Sequence, residues 1–134
     1  MSSEQLVLGG VRTPAADGTT FAVIEPATGK PFSEVAQAGA EDAKRAVQLA
    51  HRAFEVGPWP RFSATERGRV LLRTSTLIRE RLEELAIIEA RNAGKPIRDA
   101  RGEIGLVANV FEYWGGAANK IFGETIPVQD AGLE

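Results

Sequence analysis

Residues 63–96 read SATERGRVLLRTSTLIRERLEELAIIEARNAGKP, and this stretch decides the fold. Ser63 and Glu66 have the S-x-x-E spacing of a capping box, in which the serine oxygen accepts an amide one turn in and the glutamate reaches back to the cap's own N–H. Leu71, Ile78, Leu82 and Leu85 recur at steps of seven, four and three, which places them on one helical face. Arginines and glutamates fill the intervening positions in near balance, and Arg79 with Glu83 is spaced as an i,i+4 pair. At the far end Gly94 suits the left-handed position after a helix, and Pro96 cannot continue one. Roughly thirty residues exceed an ordinary globular helix, so a bend or break is expected at Arg79–Arg81. The stretch is a bent helix or helical hairpin, and it is scaffold rather than site.

Upstream, Gln5–Leu8 is a short apolar run ended by Gly9-Gly10, and Thr13–Gly18 is rich in turn formers. Thr20–Ile24 and Phe32–Ala36 read as two strands of a hairpin. Pro26 sets the turn between them and Gly29 supplies a positive φ. A helix is expected from Gly39, with Glu41 and Asp42 at its positive end and Ala43, Val47, Ala50 and Phe54 as its buried stripe. Gly57-Pro58-Trp59-Pro60 then stops it. Downstream of Pro96 a third helical pattern runs from Arg98 to Phe122, with Ile104, Val107, Ala108, Phe111, Trp114, Ala118 and Ile121 as its stripe. Its glycines at 102, 105, 115 and 116 each weaken a helix interior by roughly 1 kcal/mol relative to alanine. Thr125–Val128 reads as extended.

Composition narrows the function classes. The chain has 134 residues, 43% hydrophobic and 25% charged, enough for one domain with a core. A net charge of −2 gives no electrostatic case for nucleic acid or an anionic membrane. No apolar run approaches the roughly eighteen residues of a membrane span. Met1–Arg12 lacks a basic start followed by an apolar core, so no secretory leader is expected and a cytoplasmic location is the default. There is no cysteine, hence no disulfide, no thiolate metal site and no thiol nucleophile.

Candidate chemistry is sparse. Gly-Lys occurs at 29–30 and 94–95, but neither pair has the glycine five positions earlier that a phosphate loop needs, and each lysine is followed by proline. His51 is the only histidine, so one chain cannot build a histidine metal cluster. Asp99 with Glu103, and Glu83 with Glu84, read as solvated helix charges. Trp59, Phe111, Tyr113 and Trp114 read as core at helical spacing. From residue types alone the chain is a mainly helical domain with an N-terminal β-hairpin and no self-contained active site.

Five short segments nonetheless occur in a familiar order. They are Val23-Ile24-Glu25-Pro26-Ala27-Thr28-Gly29, Ala40-Glu41-Asp42 opening a helix, Gly57-Pro58-Trp59, Gly94-Lys95-Pro96, and Phe122-Gly123-Glu124-Thr125-Ile126-Pro127-Val128. In this register the chain resembles the N-terminal part of an NAD(P)-dependent aldehyde dehydrogenase. One departure is Glu25, where the family commonly has asparagine. The resemblance implies an α/β fold with a Rossmann-type cofactor domain, of which 1–134 is a single incomplete N-terminal segment. It implies an enzyme that oxidises an aldehyde to a carboxylic acid with NAD or NADP, through a cysteine, a general-base glutamate and an oxyanion-hole asparagine that all lie beyond this segment. Covalent catalysis needs thiolate and base within reach, so the segment alone is expected to bind no cofactor and to be inactive. Its expected partners are the remainder of that fold or partner subunits. Some members hold a monovalent cation, and the matching positions here are the Ile24 carbonyl and Glu103. The helix from Glu103 to Trp114 resembles one that lines the family's substrate tunnel, and its apolar character favours an uncharged aldehyde. The rival reading is a standalone helical interaction module, or a regulatory stub that binds a partner chain.

Overall fold

The computed structural model describes residues 2–123. The elements in order are β1 (Ser2–Glu4), β2 (Leu6–Leu8), β3 (Val11–Thr13), β4 (Thr20–Glu25), β5 (Lys30–Ala36), α1 (Ala40–Val56), a 3-10 turn (Trp59–Arg61), α2 (Ala64–Glu80), α3 (Leu82–Ala93) and α4 (Ile97–Ala117). The strand Thr125–Val128 read from the sequence lies outside the described residues.

The expected hairpin is present as β4 and β5, antiparallel with Glu25 opposite Lys30 and a register shift at Val23/Ile24. Gly29 takes φ 66°, and its N–H donates to the Glu25 carbonyl at 2.8 Å, closing the turn. The sequence reading missed two further pieces. β1 joins the edge of β5 in parallel, and β2 pairs with β3 in a second hairpin. Its two-residue loop is Gly9-Gly10, with φ of 60° and 82°, the backbone that a primed turn demands and that glycine supplies without strain. Three-residue strands are too short to show alternation, which is why this hairpin hid in a loop-like stretch.

The long helical stretch breaks where expected. Arg81 sits at φ −110°, ψ 20°, ending α2 and starting α3. The Ser63–Glu66 box forms: Ser63 N–H donates to Glu66 Oε2 at 2.7 Å, and Glu66 N–H donates to Ser63 Oγ at 3.3 Å. Gly94 closes α3 at φ 70°. Leu71, Ile78, Leu82 and Leu85 are all half-buried on the inner side, as their spacing requires.

Three expectations change. Arg79 does not pair with Glu83, because the break at Arg81 puts them on different helices. Arg79 instead donates to Asn109 Oδ1 at 2.8 Å and Glu112 Oε2 at 2.6 Å on α4, while Glu83 is held by Arg101. The third helix ends at Ala117 rather than Phe122. Two adjacent glycines weaken its last turn, and the Lys120 ammonium donates to the Gly116 carbonyl just where the ladder stops. The stripe assigned to α1 is not buried here: Val47 is 69% and Phe54 71% exposed, and the half-buried positions are Ala46 and Leu49.

The core is thin. Its buried hydrophobic residues, among those described, are Ala15, Ala86, Ala100 and Ala108. Helices α2 and α4 make the main contact, and they meet through small residues. A Cβ on Gly68 would lie 2.6 Å from the Gly115 carbonyl oxygen, so the two backbones touch at that crossing. Ser75, 1% exposed, donates its hydroxyl to the Ala108 carbonyl at 2.8 Å one step along the same seam.

Candidate functional site

The Gly94-Lys95-Pro96 turn lies against the β4–β5 hairpin. Gly94 faces Pro26 of the hairpin so closely that an added Cβ would lie 2.9 Å from the proline Cβ. Beside it Arg91 of α3 reaches Glu25 at 3.3 Å and lies 4.5 Å over the Phe32 ring. Glu25, the departure from the family pattern, therefore ties β4 to α3, and its hydroxyl partner Thr28 steadies the turn at 3.1 Å. Lys95 stands between two carboxylates, Glu89 at 2.7 Å and Glu103 at 2.5 Å. The hydrogen bond to Glu103, then that to Glu89, holds the Lys95 ammonium above its ordinary range.

Of the two cation positions, Ile24 lies on β4 at the register shift, opposite Pro31. A proline offers no ladder N–H there. Glu103 lies on the second turn of α4, with its carboxylate on Lys95. A carbonyl and a carboxylate are the donors a hard cation prefers, but an alkali ion would have to compete with an ammonium already seated on Glu103. Among the described residues no cluster of three or more His, Cys, Asp or Glu is arranged to hold a metal.

The other candidates disperse. Asp99 pairs with its neighbour Arg98, and Glu84 pairs with Arg81, which holds its carboxyl below the usual range through a side-chain hydrogen bond. Glu83 is lowered in the same way by Arg101. His51 is exposed on α1. Trp59 leans on Phe62 at 6.0 Å, Tyr113 and Trp114 meet edge-on at 5.2 Å on the exposed side of α4, and Phe111 is half-buried. Neither Gly-Lys pair forms a phosphate cradle: Gly29 closes a hairpin, Gly94 ends a helix, and Lys95 is committed to two carboxylates. These residues do not fit a dinucleotide.

What sequence reasoning missed is Asp42. It is 4% exposed, and its carboxylate accepts from Gly39 N–H at 3.0 Å and from Ala16 N–H at 3.1 and 3.2 Å. One side chain thus caps α1 and fastens the loop of Pro14–Gly18 to it. Its place in the first turn was legible; its long-range partner was not.

An N-terminal hairpin packed on α3, a Gly-Lys-Pro turn and a long following helix make up the site, and among the described residues no catalytic constellation is assembled there. The chain matches the aldehyde dehydrogenase family over residues 13–134 and belongs to it. It is 44% identical over 128 residues to the mitochondrial aldehyde dehydrogenase family 2 member B4 of Arabidopsis thaliana, covering 95% of this chain and 24% of that protein. The NAD-dependent aldehyde dehydrogenase of Sinorhizobium meliloti superposes with a TM-score of 0.87 at 40% identity, over 91% of this chain and 24% of that one. The betaine aldehyde dehydrogenase of Staphylococcus aureus, crystallised with NAD+, superposes at 0.88 and 31% identity, over 95% and 26%. The chain thus spans about a quarter of the length of the relatives it matches, and it corresponds to their N-terminal portion. No helix among the described residues is long and apolar enough to cross a membrane.

Proposed function

We propose that residues 1–134 form a single, incomplete N-terminal segment of the cofactor-binding domain of an NAD(P)-dependent aldehyde dehydrogenase that oxidises an aldehyde to a carboxylic acid. The observation that carries this is the family match through residue 134 in a chain that holds no cysteine. The segment supplies scaffold, and the remainder of the fold supplies thiolate, base and nucleotide site. The exposed apolar side of α4, with Leu106, Val110 and Tyr113, supports a role as one wall of an uncharged-aldehyde passage. The cytoplasm remains the proposed location, although the Arabidopsis relative is mitochondrial. A standalone interaction module has no observation in its favour over this reading.

Purified chain 1–134 is expected to show no aldehyde-dependent reduction of NAD or NADP with aliphatic or aromatic aldehydes. Turnover that survives removal of host dehydrogenases would overturn the reading.

The cation positions belong to the same reading. In the completed fold, Glu103→Gln is expected to weaken stabilisation by potassium or sodium chloride, since it removes the charge and keeps one oxygen. Lys95→Met is expected to strengthen it by freeing the carboxylate. The salt dependence of the melting temperature checks both, and three identical responses would remove Ile24 and Glu103 from the proposal.

A further inference from the structure

Large apolar side chains of the described residues stay exposed, Val47, Phe54, Leu106, Val110 and Tyr113 among them, and α1 presents its own at regular helical spacing.

Three faces of α1 can be told apart. Lys44, Arg45, Gln48, Arg52 and Glu55 form a polar face. Asp42, Ala46 and Leu49 form an inner seat: Asp42 holds the Pro14–Gly18 loop, and Leu49 would lie 3.4 Å from a Cβ on Gly9 of the β2–β3 hairpin. Between them runs Ala43, Val47, Ala50, Phe54, at steps of four, three and four. That spacing marks a buried helix face, yet Val47 and Phe54 are about 70% exposed. The Asp42 bonds and the Leu49 seat hold the helix with this stripe facing outward.

We propose that the Ala43–Val47–Ala50–Phe54 stripe of α1 is the docking face for the remaining three quarters of the aldehyde dehydrogenase fold, whether carried on the same polypeptide or supplied separately. This rests on the reading given under Proposed function. A second copy is the weaker occupant. Exposed apolar surface also lies on α4, at Leu106, Val110 and Tyr113, and one two-fold patch on α1 leaves that face open, whereas the rest of a fold four times larger can cover both.

The test compares the same substitutions in two settings. Val47→Glu and Phe54→Glu, with Gln48→Glu on the polar face as control, are made in isolated chain 1–134 and in a chimera that places this chain before the corresponding remainder of the Arabidopsis relative. In the isolated chain all three are expected to leave the melting temperature within about 2 °C, as exposed substitutions do. In the chimera Val47→Glu and Phe54→Glu are expected to lower the yield of soluble, active enzyme roughly tenfold or more, because a carboxylate is buried without a partner, while Gln48→Glu matches the parent. Chimeric variants as soluble and active as their parent would overturn the docking assignment and leave the family reading intact. An isolated chain that sediments as a stable dimer and becomes monomeric on Val47→Glu would assign the stripe to a second copy instead. An inactive parent chimera would overturn the reading under Proposed function, and the assignment with it.

Discussion

Gly68→Ala is expected to destabilise isolated chain 1–134 by about 2 kcal/mol, while Gly102→Ala is expected to stabilise it by about 1 kcal/mol. The two sites carry the same residue in the same kind of element and differ in what a methyl group would meet. At Gly68 the added Cβ would sit 2.6 Å from the Gly115 carbonyl oxygen and 3.4 Å from the Ala118 Cβ. A backbone oxygen in a helix cannot swing aside as a lysine tip does, so α2 and α4 must separate. Separation loosens Ser75 from Ala108 and Arg79 from Asn109 and Glu112, which lie along the same crossing. Overpacking of this kind costs about 3 kcal/mol, and the better helix propensity of alanine returns about 1 kcal/mol of it. At Gly102 nothing lies within 4 Å, so only the propensity gain remains. Urea denaturation of the three proteins measures both effects. A Gly68→Ala chain at least as stable as its parent would show that the helices do not meet at this point.

The same contrast explains what was legible in the sequence. Periodicity and caps located α2, α3 and the β4–β5 hairpin, because Ser63, Glu66, Gly94 and Gly29 act within a turn or two of themselves. It could not separate Gly115, a contact point between helices, from Gly102 and Gly116, which face open space, since all three look alike as helix weakeners. Local spacing is the only partner information a sequence carries, and it points Arg79 to Glu83; besides Ser75 one turn back, the partners of Arg79 lie 30 and 33 residues away on α4. The α1 stripe was read as core from a sound pattern. It is exposed because periodicity reports which face is apolar, not which segment covers it. Of the site, the Gly-Lys-Pro turn was legible as a helix stop, whereas the grip of Lys95 on Glu89 and Glu103 was not.

Asp42→Ala is expected to destabilise the isolated chain by about 3 kcal/mol, and Asp42→Asn by about half as much. The carboxylate accepts two backbone N–H groups, from Gly39 at the start of α1 and from Ala16 across 26 residues of chain. Bonds to a charged acceptor contribute about 1.5–3 kcal/mol each, and the site is 4% exposed, so water does not readily replace the lost oxygen. Alanine removes both acceptors. Asparagine keeps one carbonyl oxygen at nearly the same volume, so an acceptor remains for these N–H groups, but the second acceptor becomes an amide NH2 and the charge is lost. The check is chemical denaturation together with amide exchange at Ala16 and Gly39. In Asp42→Ala both amides are expected to exchange faster, while those of α3 stay protected until global unfolding. A variant within about 0.5 kcal/mol of the parent, the range of ordinary surface changes, would show that the Pro14–Gly18 loop holds its place without Asp42. With the loop released, α1 keeps Leu49 on the β2–β3 hairpin and its C-terminal tie from Arg61 to the Val56 carbonyl. The stripe at Val47 and Phe54 then loses the restraint at its N-terminal end, so the Asp42 variants also probe whether this docking face must be held in place before the rest of the fold can close over it.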